Sequence, residues 1–152
     1  MTILSYCRPV IAATLLPVWT HSLAAGPLDA FRDVNRLVVV SLPQGPAAEN
    51  VAAAWCLHRV KIDERDLKII DASEGAQRVA AGVRLNPEHI IAVRQHFKLA
   101  AGEPRPVFIL VGKDGGEKAR QVGTLDLETW FALIDHMPTR RQEIQNQQKK
   151  SD

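Results

Sequence analysis

The stretch from Arg105 to Gly123, R-P-V-F-I-L-V-G-K-D-G-G-E-K-A-R-Q-V-G, constrains this chain more than any other. Val107-Phe108-Ile109-Leu110-Val111 is a continuous apolar run rich in β-branched and aromatic residues, the pattern of a strand buried on both faces. Lys113-Asp114-Gly115-Gly116 then supplies a tight turn, because Asp-Gly and Gly-Gly accept the positive φ such turns require. Glu117 to Val122 returns as a second, more polar strand suited to a sheet edge. What precedes this hairpin reads as β and α units, and one amphipathic helix follows it.

Taken in order, Arg36 to Leu42 (R-L-V-V-V-S-L) has the pattern of a buried strand, and Pro43-Gln44-Gly45-Pro46 breaks it. Pro46 suits the first turn of a helix over Ala47 to Val60, whose Val51 and Trp55 approximate one apolar face with Ile62. Asp63 to Asp66 is a polar turn and Leu67 to Ile70 a short second strand, whereas Asp71 to Gly82 shows no assignable period. Asn86-Pro87 opens another helix, an N-cap followed by proline at the first helical position, with Ile90, Val93 and Phe97 at helical spacing. Thr124 or Asp126 caps the last helix, where Leu127, Trp130, Phe131, Ile134 and Met137 form a stripe that Pro138 ends. From Thr139 to Asp152, Gln, Lys and Arg dominate, which predicts a polar, flexible tail. The order is β-α-β-α-β-β-α, with crossovers long enough for parallel strands and a final antiparallel hairpin. That is the thioredoxin-like order: an α/β three-layer sandwich around a mixed central sheet.

Composition limits the rest. At 152 residues the chain holds one domain with a proper core. A formal charge of +2 argues against a nucleic-acid binder, which would concentrate basic residues on one face. No run approaches the roughly 20 apolar residues of a membrane span. Met1 to Ala24 has the layout of an export signal: Arg8, then an apolar core from Val10 to Trp19, then Ser22-Leu23-Ala24 as small residues for a signal peptidase. Cleavage after Ala24, or after Ala25, predicts a periplasmic or secreted protein with its domain over residues 25–138 and a tail over residues 139–152. Cys7 leaves with the signal, so the mature chain carries Cys56 alone and no internal disulfide.

The hairpin V-G-K-D-G-G-E-K-A-R and the ending I-D-H-M-P-T-R-R-Q-E-I resemble the domain-of-unknown-function family numbered 4174 over roughly Leu28 to Ile144. The resemblance implies a bacterial exported protein, similar to a domain of some animal extracellular matrix proteins, with a thioredoxin-like fold. It brings no activity. Thioredoxins carry Cys-x-x-Cys at the start of the first helix, where the dipole lowers the nucleophile's pKa. Here that junction reads Ser41-Leu42-Pro43-Gln44-Gly45-Pro46-Ala47, without a cysteine.

Cys56 lies too far into its helix for the dipole to act, and the sequence favours a small buried hydrophobe packed near Trp55 and Leu57. The alternative is an atypical single-cysteine thiol peroxidase or reductase using Cys56. His89 and His96 are seven apart on one helix, about 10 Å, too far for one ion, and the reading calls for no metal and no cofactor. The candidate binding residues are charged: Lys113, Asp114, Arg120, Arg140 and Arg141. Either Arg140 or Arg141 pairs with Asp114 to fix the C-terminal segment, or the group binds a small anion or an acidic partner protein, since arginine forks match carboxylate and phosphate. The sequence thus predicts an exported, non-catalytic binding or structural module.

Overall fold

Alternation along two central strands sets the architecture. β1 (Arg36–Ser41) and β4 (Val107–Val111) are antiparallel neighbours, with Val39 opposite Ile109. In the computed structural model, which describes residues 26–74 and 79–151, both strands are buried throughout. Val38, Val40, Phe108 and Leu110 enter one core, while Leu37, Val39, Ile109 and Val111 enter the other. Two covered faces explain apolar runs with no polar alternation.

β2 (Leu67–Asp71) lies parallel to β1, and β3 (Gly82–Val83) parallel to β2. β5 (Glu117–Val122) is antiparallel to β4, giving the sheet order β3-β2-β1-β4-β5. Three helices cover one face: α1 (Ala47–Leu57), the short α2 (Arg59–Asp63) and α4 (Leu127–Asp135). They pack through Val51, Trp55, Ile62, Trp130 and Ile134. The other face is covered by α3 (Pro87–His96), with Val93 and Phe97 inward, and by Leu28 and Phe31 of the lead-in. The result is the mixed-sheet, three-layer α/β fold that the element order predicts. Asn86 caps α3 by accepting from the His89 N–H at 2.7 Å, and Asp126, rather than Thr124, caps α4.

Three local expectations change, and one unassigned segment ends in a strand. The helix predicted over Ala47 to Val60 breaks at His58, whose ring meets the Phe131 edge while its Nδ1 lies 3.3 Å from Glu128. Cys56 is exposed rather than buried, because it falls a hundred degrees around α1 from Trp55, and Leu57 beside it is also exposed. β3 has two residues, too few to display a period. The tail expected over residues 139–152 is instead helical: α5 runs Pro138–Ser151. Pro138 suits a helix start, and Gln, Glu, Lys and Arg are good helix formers, so polarity there signals exposure rather than disorder. No cis peptide occurs among the described residues, so Pro104 and Pro106 follow trans bonds. The segment read as an export signal, Met1 to Ala24, lies outside the described residues, as does Cys7 within it.

Candidate functional site

Arg36 is a fully buried charge at the head of an apolar strand. Such a charge persists only when it is paired and hydrogen-bonded, and here the partners come from distant parts of the chain. Its two Nη atoms fork onto the Glu143 carboxylate of α5 at 3.1 and 3.2 Å. Nη1 also donates to the Arg65 carbonyl and Nη2 to the Thr139 hydroxyl. Lys113, in the turn between β4 and β5, places its Nζ 2.8 Å from Glu143 Oε1 and 2.8 Å from Asp66 Oδ2. Arg140, buried in the first turn of α5, donates from Nη1 to Glu143 Oε2 at 3.4 Å and lies 3.6 Å from Asp135. Arg65 closes the ring, forked onto Asp135 at 2.6 and 3.0 Å with its guanidinium 5.0 Å from the Phe131 centroid. One carboxylate, Glu143, therefore receives three cations.

Burial alone would raise the Glu143 carboxyl, but hydrogen bonds from Arg36 and Lys113 outweigh it and hold the group below the usual range. Lys113 behaves conversely: burial would lower its ammonium, and bonds to Asp66 and Glu143 raise it. Its backbone is delivered by a turn that requires glycine. Gly115 has φ +80° and donates its N–H to the Gly112 carbonyl, and a Cβ on Gly112 would sit 2.7 Å from Asp114 Oδ1.

The sequence-predicted charges divide. Lys113 and Arg140 meet on Glu143, whereas the expected bond from Arg140 or Arg141 to Asp114 does not form. Asp114 instead pairs with Lys118 four residues along the hairpin, a bond that is the main cause of its lowered pKa. Arg120 is held by Glu117 and donates to the Phe97 carbonyl. Arg141 points the other way and donates twice to the His136 carbonyl, at the C-terminal end of α4 where a cation is favoured. Glu143 itself, and Arg36, Arg65, Asp66 and Asp135, were not among the candidates. The one signal for Arg36 was a lone charge opening an apolar strand.

The opposite end of β1 holds the junction where thiol enzymes of this fold carry their nucleophile. A cleft of about 460 Å³ lies there, lined by Ser41, Pro43, Glu74, Arg94, Gly102 and Pro104 among others. Arg94 fills its inner wall, donating to Ser41 Oγ at 3.0 Å, Ala72 O at 2.7 Å and Ala100 O at 2.8 Å and pairing with Glu74. These bonds tie the ends of β1 and β2 to the loop before β4. Among the described residues, none that lines the cleft is a cysteine.

Among solved structures, a reduced 2-Cys peroxiredoxin of Plasmodium vivax is similar, with a TM-score of 0.53 over 80% of this chain and 84% of that one. Its sequence identity is 11%, so the likeness is one of fold. No curated protein matches the chain. The model of a domain of unknown function, DUF4174, matches residues 27–143 and so takes in both the Lys113 hairpin and the Arg140–Glu143 turn. The chain belongs to the DUF4174 family.

Proposed function

We propose that this protein is an exported thioredoxin-like module without thiol catalysis, which acts by binding or as a structural unit. One observation carries the reading. The two stretches by which the sequence resembles its family converge on Glu143, at the end of β1 that begins with Arg36. Strand rise puts that end about 17 Å from Ser41, beside the thiol position of the fold's enzymes. Cys56 supports the same reading from its own place. It lies about 14 Å along α1 from Ala47, far from the first-turn position at which thiol enzymes of this fold place a nucleophile. Dithiol exchange needs two sulfurs, and a chain cleaved near Ala24 would keep one.

The competing reading is a single-cysteine peroxidase, for which Cys56 has the necessary exposure. Hydrogen peroxide consumption in the presence of dithiothreitol separates the two. Wild type and Cys56→Ser are expected to consume peroxide at the same rate as reductant alone. Catalytic turnover that disappears in Cys56→Ser would establish the enzyme and remove the module.

A further inference from the structure

The ion cluster is built like a ligand site whose ligand is part of the chain. Arg36 presents a planar fork to Glu143, the geometry with which arginine recognises a free carboxylate. Lys113 and Arg140 complete the receptor; Arg36 Nε is a buried donor with no hydrogen-bond partner, and Arg140 Nε, also buried, has Asp135 Oδ1 at 3.6 Å as an ion-pair partner only. The other charges around it are already engaged: Asp66 with Lys113, Asp135 with Arg65 and Arg140, and exposed Glu64 with the outer side of Arg65. The helix that brings Glu143 has little other burial. Among the described side chains of α5, Arg140 alone is buried, with Glu143 and Ile144 half-buried and the rest exposed.

We propose that Arg36, Lys113 and Arg140 form a carboxylate receptor occupied in the resting protein by Glu143, and that an acidic segment of a partner protein displaces it and loosens α5. The inference rests on the binding-module reading and supplies the chemistry of the partner. Displacement has to overcome the high effective concentration of a tethered Glu143, so a segment with several carboxylates is required rather than one. Such a segment would reach the same cations that hold Glu143, together with Arg65 at the rim, which is 12% exposed. The charge complementarity is specific in form: forked guanidinium and ammonium donors facing one carboxylate.

Two experiments test it. In Glu143→Ala the receptor is vacated, and sodium acetate is expected to raise Tm by about 5 °C at ten times its Kd, relative to sodium chloride at equal ionic strength. Wild type should respond to the two salts alike, and Glu143→Ala combined with Lys113→Met should lose most of the acetate effect. A folded Glu143→Ala that does not distinguish acetate from chloride overturns the receptor. Should that variant not fold, the wild-type chain carries the test. Titration with hexaglutamate, against hexaglutamine as control, is expected to speed amide exchange in α5 at least tenfold. Hexaglutamate that fails to bind, or binds and leaves α5 exchange unchanged, overturns the proposal. Either failure leaves the absence of thiol catalysis untouched, because that stands on the Cys56→Ser comparison.

Discussion

Removing one or the other member of the Arg36–Glu143 pair should not cost the same. Glu143→Ala leaves a fully buried guanidinium with a carbonyl and a hydroxyl as its remaining acceptors, and breaking a buried pair from this side costs about 3–5 kcal/mol. Arg36→Met keeps an apolar stem in the strand and leaves Glu143 with Lys113 and Arg140, so a loss of about 2 kcal/mol is expected. Urea unfolding at pH 7 measures both, and the reverse ranking would contradict the assignment of Arg36 as the dependent partner. The pH response follows from the same groups. Glu143 is held below the ordinary glutamate value of 4.5, so its contribution is full above that pH and is lost as pH falls through the folded value. Tm should therefore drop more steeply in acid for wild type than for Glu143→Gln, which has no carboxyl to protonate. Lys113 has the opposite sign: its contribution is full below 10.5 and lost as pH rises through its raised folded value. At this scale the sequence named Lys113 and Arg140 but paired Arg140 wrongly. Lys118, an ammonium four residues along the hairpin, captured Asp114 and left it no reason to reach α5.

At the scale of elements, the hairpin was the most legible part and it also positions the site. Its apolar run, its Asp-Gly-Gly turn and its polar return strand all follow from local chemistry. Gly115→Ala places an L-residue at φ +80°, which costs about 1–2 kcal/mol, and it moves the turn that carries Lys113. Thermal unfolding should show the loss, and Gly115→Asn should lose less because asparagine tolerates that region. The cap of α3 offers a control remote from the cluster. Asn86→Ala is expected to cost about 1 kcal/mol without changing the acid response. The elements that were not legible share a cause: β3 is too short to show a pattern, and α5 buries too little to announce itself. Helix propensity and a docked glutamate, rather than an apolar stripe, explain why α5 forms where a flexible tail was expected.

Across the whole molecule, the fold was readable and the site was not, for a physical reason. Strand and helix patterns are local in sequence, whereas the cluster joins Arg36 to Glu143 across 107 residues and Arg65 to Asp135 across 70. Such pairs leave no periodic trace, and it takes the sheet topology to bring the start of β1 beside the β4–β5 turn and the last helix. The topology likewise separates the cluster from the β1–α1 junction by the length of a strand.

Arg36, Lys113 and Arg140 act together on Glu143 to hold α5 against the sheet. Native-state hydrogen exchange at pH 7, comparing wild type with Glu143→Gln, tests it most directly, because glutamine keeps the size of the side chain and removes its charge. In Glu143→Gln the α5 amides are expected to lose most of their protection while β1 and β4 keep theirs. Equal protection of α5 in the two proteins would contradict it.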